Sequence, residues 1–529
     1  MKKKIAVILS FLLIVTYFAM SKSPTTGEQK RQVLRMASSN VTNALDPAIA
    51  QETSTFTILG GLFEGLVRLD ESGQVVPAMA KSWKISNDGL TYTFKLRSNI
   101  KWSNKQRVKA SDFEFSWKRT LEPATQSIYA YNMYPIANAK AFNSGKLKDA
   151  SKVGVKALNQ TTLQVTLGEP TSFFLQTLAD PIFLPLPETV VKANKNWASK
   201  IGTIVSNGPF KLKEWQKAKR LVLVKNPTYY DAEKIQLTEV QFTQYTSQIS
   251  PTIAYVNGEV DFVGSDLTID FEKLTEVAYK DYKIFPQSAT YYYQFNMNKA
   301  PFTNLKIRQA LAMGLNREVI GYGAPAYGFV PHRILGIKDD FRSEFTDNYF
   351  KEDINKAKLL LQEGLKEEEL TELPQITLIT NTGSHVNSVE EIIVSAWKEN
   401  LGVDVDIEVQ EWEELLDNRM QQNFQLARAS WGADYNDPAS FLEYFTSWSS
   451  NNDSGWNNST YDQYVKQARS EINSQNRNLL YAKAEKLLIE QMVILPVYYY
   501  EIDVLQKSKL KGMQVNYMST VDFSRAYFE

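Results

Sequence analysis

The chain of 529 residues contains no cysteine. That absence excludes disulfides, zinc–thiolate sites, iron–sulfur clusters and a cysteine nucleophile. Histidine is nearly absent too, with only His332 and His385. Two imidazoles are too few for a multi-histidine metal centre, so no metal or other cofactor is expected. A Ser-His-Asp triad would have to use one of them, and no GxSxG elbow surrounds a serine. An excess of positive charge is also lacking: Lys+Arg and Asp+Glu both number 59. Without Lys2, Lys3 and Lys4 the balance is 56 against 59. Nucleic acid is thereby disfavoured as a partner, since phosphate binding needs a basic surface. Beyond Met20 no apolar run approaches the about 20 residues that span a bilayer.

What is present starts with length. A single core stops growing at about 250–300 residues, so two or three domains are expected. Aromatic residues make up 12% of the chain, enough to serve both a core and a ligand cleft or interface. At the N-terminus, Lys2-Lys3-Lys4 precedes the apolar run Ile5–Met20 and then polar Ser21-Lys22-Ser23-Pro24. A basic start, a short apolar run, and Ala19 and Ser21 at positions −3 and −1 of a cut read as an export signal over residues 1–21. The protein is expected to work outside the cytoplasmic membrane, at the cell surface or in a periplasm. An uncut signal acting as an anchor is the alternative.

Along the chain, Val33-Leu34-Arg35-Met36-Ala37 reads as a strand, ended by the turn at Asp46-Pro47. Phe56, Leu59, Leu62, Phe63 and Leu66 predict a helix over Thr53–Leu69. Thr91–Leu96 alternates as a strand, and Ala110 to Leu121 carries a helix start signal followed by Trp117 and Leu121. Strands are also predicted at Phe210–Trp215 and Arg220–Val224, and a helix from about Asp270 to Ala278. The aromatic run from Tyr291 predicts a strand in which Tyr292 or its neighbours face a cleft. Gly321–Pro331, rich in Gly, Pro and Tyr, reads as a hinge or flap. From Gln375 to Val409 the pattern is strand, helix, strand, which argues an α/β unit with a mixed or parallel sheet. The terminal helix Gln475–Glu490 leads into a buried strand, Met492–Tyr500. No linker or repeat separates domains, so the lobes are expected to share strands that cross a hinge.

One stretch concentrates polar chemistry: Arg428–Phe441, RASWGADYNDPASF, which follows a strand-like run. Ligands of α/β sheets bind beyond the carboxyl ends of strands, where this loop would lie. Turn-forming explains Asp437, between Asn436 and Pro438. For Asp434, capping and ligand contact compete on residue type alone. Arg419 sits on a charged helix, where a solvated surface role is the plain alternative. Trp431 could belong to the core.

In order along the chain stand LDP at Leu45–Pro47, LFEGL at Leu62–Leu66, SNGPF at Ser206–Phe210 and NPTYYD at Asn226–Asp231. They are followed by YYYQFN at Tyr291–Asn296, PFTNLKIRQAL at Pro301–Leu311 and ARASWGADYNDPASFL at Ala427–Leu442. With these motifs the chain, from about Val33 to Glu529, resembles the extracytoplasmic solute-binding proteins of ABC importers. The nearest likeness is to the peptide/nickel-binding family (family 5) and its oligopeptide-binding (OppA-like) branch. The resemblance implies an α/β fold of the periplasmic-binding-protein type II class (cluster C), two lobes on a hinge with an extra inserted domain. Domain I would comprise residues 33–60, 185–285 and 500–529, inserted domain II 61–184, and domain III 286–499. It implies a monomer that encloses an extended oligopeptide and delivers it to the permease subunits of a membrane importer, without catalysis.

The resemblance also assigns residues. Asp434 matches the aspartate that pairs with the ligand's α-ammonium group. Arg428 and Arg419 match arginines that receive the carboxylate of shorter peptides, and Trp431 a tryptophan lining a side-chain pocket. Gln51, Glu52, Thr53 and Ser54 occupy a segment that offers backbone groups to the peptide. Tyr129 matches a tyrosine of the inserted domain. Gln51 and Gln294 stand where the family carries glutamates; both departures remove a negative charge and put a preference for basic side chains in question. Gram-positive relatives are usually lipoproteins closed by a signal cysteine, and lipid attachment of that kind is not supported here because there is no Cys.

Within the same fold, a receptor for one signalling peptide, or a binder of a nickel chelate, haem or sugar, are the alternatives. The scarcity of His and Cys argues against the metal and haem versions. A hydrolase using Asp434 is the alternative from another class, but Asp437 is too near on the same turn to act as its partner, and no other is evident.

Overall fold

The computed structural model describes residues 32–246, 250–264 and 266–529. The predicted export signal, residues 1–21, lies outside the described residues. Two long strands organise the molecule. Tyr282–Phe295 and Ile494–Gln506 pair antiparallel through the middle of one eleven-stranded sheet. On one side of them follow Leu426–Gly432, Ile376–Asn381 and Val405–Gln410. On the other follow Phe262–Gly264, Val33–Ser38, Glu239–Gln244, Arg220–Lys225 and Phe210–Gln216. The sheet is mixed, as expected: Val33–Ser38 and Ile376–Asn381 each run parallel to both neighbours. Parallel neighbours need a crossover, and the helix Ser384–Leu401 supplies one before Val405–Gln410. Gly402, at φ +71°, ends that helix in the left-handed conformation a glycine adopts without a Cβ clash.

Successive strand residues point to opposite faces. Tyr291 and Tyr293 therefore enter one buried cluster with Trp397, and Tyr292 another with Phe329 and Phe441. All three tyrosines are at most 1% exposed, so none opens onto a cleft through its ring, unlike the expectation for Tyr292. The largest cluster draws on residues 34–262 and 502–526, and the crossing strands join it to the other two. A separate antiparallel sheet, ordered Ala80–Ile85, Thr91–Leu96, Thr162–Thr166, Val155–Asn159, packs under the helix Ala110–Leu121. That helix buries Phe113, Trp117 and Leu121 along one stripe. Its Trp117 Nε1 donates to the carbonyl of Phe183 at 2.8 Å, and Asp112 accepts from the Lys109 amide at 2.8 Å to fix its start.

Three further expectations fail, each for a reason the structure shows. The first helix ends at Leu62 instead of Leu69, and Val67–Leu69 pairs with Val75–Pro77. The Asn207 side chain binds both the amide and the carbonyl of Glu64, at 3.2 and 2.8 Å, and so takes the groups a longer helix would use. The predicted helix near Asp270–Ala278 is two short turns, Phe271–Lys273 and Glu276–Tyr279, because Asp270 and Thr275 each cap a separate start. The segment Gly321–Pro331 is no free flap. Gly323–Pro325 pairs with Tyr498–Tyr500, and the amides of Phe329 and Val330 donate to buried Glu485 at 2.8 and 2.7 Å. Arg342 pairs with the same carboxylate.

Candidate ligand-binding site

The stretch Arg428–Phe441 starts within the strand Leu426–Gly432 and ends in the helical turn Ala439–Leu442. Between them the chain leaves the sheet. Asp437 is fully buried; its carboxylate accepts from the Ala439 amide at 3.0 Å and lies 3.4 Å from Arg477. It shapes the turn, as its neighbours in sequence suggest, and adds an ion pair. The Asp434 amide donates to Ser440 Oγ at 2.8 Å, which pins the loop. Its carboxylate accepts from Tyr131 Oη at 2.9 Å, a bond across 303 positions of sequence.

Gly432, Ala433 and Asp434 wall a cavity of about 240 Å³ together with Gln51, Thr53, Tyr129 and Asp180. Burial pushes the Asp434 carboxyl up to about 6, against the opposing pull of the Tyr131 hydrogen bond. Asp180 is 3% exposed, and its carboxyl is raised well above the ordinary range. Burial is the main cause, Tyr517 opposes it by donating a hydrogen bond, and the nearby Asp434 charge adds to it. The ring of Tyr129 lies 6.0 Å from Phe56 and 6.3 Å from Tyr131. Two desolvated carboxyls from distant parts of the chain thus converge on one small space. Such a space favours a cation that can donate several hydrogen bonds.

Four of the predicted residues line this cavity: Gln51, Thr53, Tyr129 and Asp434. Arg428, Arg419, Trp431 and Gln294 do not. Trp431, half-buried, donates from Nε1 to the Ser440 carbonyl at 2.7 Å and meets Tyr444 edge-on at 4.8 Å. Arg419 donates to Asp453 at 3.0 Å and to Tyr444 Oη at 2.9 Å. Gln294 binds the other oxygen of Asp453, so these residues form one buried group. Arg428 lies on the opposite face of the sheet. Its guanidinium sits 4.9 Å from the Tyr291 ring centre and donates to Tyr500 Oη at 3.3 Å. Its Nε makes no hydrogen bond, and among the described residues no carboxylate lies within ion-pair distance of it. The two arginines that sequence places at one end of a ligand are therefore unlike: Arg419 touches its counter-ion, whereas Arg428 has Glu390 only at longer range, beyond Tyr291.

Asp180 and Tyr131 escape the sequence reading. Asp180-Pro181 looks like an ordinary turn, and Tyr131 is one of several tyrosines between Ile128 and Pro135. Only the fold shows that both reach Asp434.

The profile of the bacterial extracellular solute-binding proteins, family 5 Middle, matches residues 74–453. The oligopeptide-binding protein OppA of Bacillus subtilis (strain 168) is 34% identical over 551 aligned positions, covering 100% of both chains. In structure, the unliganded open form of the periplasmic murein tripeptide binding protein MppA matches with a TM-score of 0.84 at 33% identity, over 94% of this chain and 98% of that one. Listeria monocytogenes OppA bound to peptide matches at 0.68 and 29% identity, over 94% of this chain and 99% of that one. The profile covers residues 74–453, and sequence and structure agree over nearly the full length: the chain belongs to the bacterial extracellular solute-binding proteins, family 5.

Proposed function

We propose that this protein is the extracytoplasmic solute-binding component of an ABC importer, taking up oligopeptides in extended form and passing them to a membrane permease without chemical change. The observation that carries the reading is the pairing of Asp434 and Asp180 around one cavity. A protein that accepts peptides of many sequences must hold what all share, the backbone and the two charged ends. Asp434 and Asp180 serve the ammonium end, and Arg428 serves the carboxylate. Residues 428 to 432 of the strand span about 13 Å, the reach of about four extended ligand residues. Gln51 and Thr53, which line the same cavity, supply backbone contacts. Family membership and the peptide-binding names of the relatives support the same reading.

The division into residues 33–60, 185–285 and 500–529, then 61–184 and 286–499, belongs to this proposal. Its support is the irregular pairing of the crossing strands, whose register shifts between Pro286 and Thr290. Gln287 and Ser288, in that interval, wall the cavity. A hinge there closes the lobes on the ligand and opens them to release it. The test is native mass spectrometry of the protein as isolated, with calorimetry on defined peptides. A ladder of bound peptides that leave unaltered is expected. Cleavage of bound peptides, or affinity only for a non-peptide solute, overturns the reading.

A further inference from the structure

The cavity at Asp434 is not the larger space in the cleft. A second cavity of about 690 Å³ adjoins it, and Phe56, Pro181, Tyr517 and Met518 wall both. The order along the loop gives its direction. Arg428 lies at the proposed carboxylate end, Gly432–Asp434 line the smaller cavity, and Asn436 lines the larger one. Arg428 lines neither cavity, and the larger one joins the smaller at the walls that they share, so we place it beyond the proposed ammonium anchor. Its volume falls within the about 300–1,000 Å³ of well-formed ligand pockets.

Its walls have a definite chemistry. Six carboxylates line it, Glu64, Asp70, Asp339 and Asp522 among them, against the guanidiniums of Arg68 and Arg333. Arg68 stands 3.9 Å from Glu64, and Arg333 donates to the Val515 carbonyl. Glu64 is nine-tenths buried; one carboxylate oxygen takes the Tyr229 hydroxyl at 2.6 Å, and the other makes no hydrogen bond. Asp434, for its part, is not left bare when no ammonium reaches it, because Tyr131 already donates to it.

We infer that the cleft continues past Asp434 and that the larger cavity accepts residues on the amino side of the bound segment, cationic or neutral in preference to acidic. The inference rests on the peptide reading above and names a ligand class within it: longer peptides whose amino end lies in the second cavity.

The test is calorimetry with tetra-alanine and two extensions of it, Lys-Gly-tetra-alanine and Glu-Gly-tetra-alanine. Gly60 lines the larger cavity, and a Cβ built on it meets nothing within 4 Å, so the side chain of Gly60→Trp starts in open space. That variant is expected to bind tetra-alanine like the wild type and the Lys-Gly extension at least tenfold more weakly. Asp434→Asn is expected to do the reverse, losing tetra-alanine at least thirtyfold and the extension less than threefold. The Glu-Gly extension should bind the wild type at least tenfold more weakly than the Lys-Gly one. Ser72→Trp, on another wall, repeats the block should Gly60→Trp misfold. If the extension ignores both blocking variants, or follows tetra-alanine in Asp434→Asn, its own amino end sits at Asp434 and the inference is wrong. If no peptide binds the wild type, the peptide reading itself fails, a distinct outcome.

Discussion

At the residue scale the two ends of the ligand make separate demands. Asp434 in the empty protein holds its proton up to about pH 6, because burial disfavours the carboxylate. An ammonium beside it reverses that preference, so the bound state favours the ionised form. Peptide affinity should therefore be full near pH 7 and fall as pH drops below 6, by up to about tenfold per unit. Above about pH 8 the ligand's own α-amino group loses its charge and affinity falls again. Calorimetry between pH 4.5 and 9 should trace this bell, and an acid limb that persists in Asp434→Asn would assign it to another group. The same shift has a cost for the empty protein. A carboxyl with a raised folded-state pKa lowers stability as pH rises from its unfolded value of about 3.9 through 6. Asp434→Asn should accordingly gain up to about 2 kcal/mol in the ligand-free state at pH 7.5, seen as a higher urea midpoint. A variant both more stable and worse at binding is the signature of a site residue.

The arginines diverge in the same way. Arg428→Gln removes a buried cation that no carboxylate touches directly, so its effect should fall on binding of tri- and tetrapeptides, at about 2–5 kcal/mol. Arg419→Gln strands Asp453 in a buried group, and its effect should fall on folding, by about 3–5 kcal/mol. Equal effects of both on binding, with stability unchanged, would restore the pairing of the two that sequence suggests.

At the scale of elements, the chain announces much of itself. Helix Ala110–Leu121 and the unit from Ile376 to Gln410 stand close to where periodicity places them, since each carries its own caps and apolar stripe. The errors arise where a distant side chain decides. Asn207 ends the first helix, and Glu485 holds down Phe329 and Val330. Neither is visible in a local window. The long strands are expected only from Tyr291 onward and over Met492–Tyr500; their other halves, Tyr282–Pro286 and Glu501–Gln506, pair with each other. Within the site, Asp434 is marked by its motif, whereas Asp180 is marked by nothing but its position. The pinned segment Gly321–Pro331 yields a test of its own. A Cβ on Gly323 would meet the Tyr499 carbonyl oxygen at 2.2 Å. Gly323→Ala should cost about 1–3 kcal/mol by forcing the strands apart. At Gly321 a Cβ has open space, and the φ of +73° alone limits the cost to about 1 kcal/mol. Urea unfolding of both variants checks this, and equal, small losses would return the segment to the status of a free flap.

At the scale of the whole molecule, the proposed hinge lies at the irregular pairing of the crossing strands, and the starting state bears on how far it moves. The likeness to an unliganded open form, 0.84, exceeds that to a peptide-bound relative, 0.68, although both cover 94% of the chain. Contacts nevertheless already bridge the proposed lobes. Phe173 stacks on Tyr435 at 4.4 Å, Arg469 pairs with Glu169 at 2.7 Å, and Tyr131 reaches Asp434. These contacts set how much of the closure the ligand must drive, since a ligand shifts the equilibrium only by its differential affinity for the closed form. If Phe173–Tyr435 is made in both states, removing it loosens the molecule without changing the closed fraction. If it belongs to one state, Phe173→Ala shifts the balance. The rings are stacked within 6° of parallel, with their centres 4.4 Å apart. We expect it to act as a pivot, kept in both states. Small-angle scattering should then show the radius of gyration falling on addition of saturating peptide by the same amount in wild type and Phe173→Ala. Thermal midpoints should fall in the variant with and without ligand alike, while the ligand-induced gain, about 2.7 kcal/mol at a hundredfold excess over Kd, is retained. A Phe173→Ala protein that is already compact without peptide, or that no longer contracts with it, would make the stack a latch instead of a pivot.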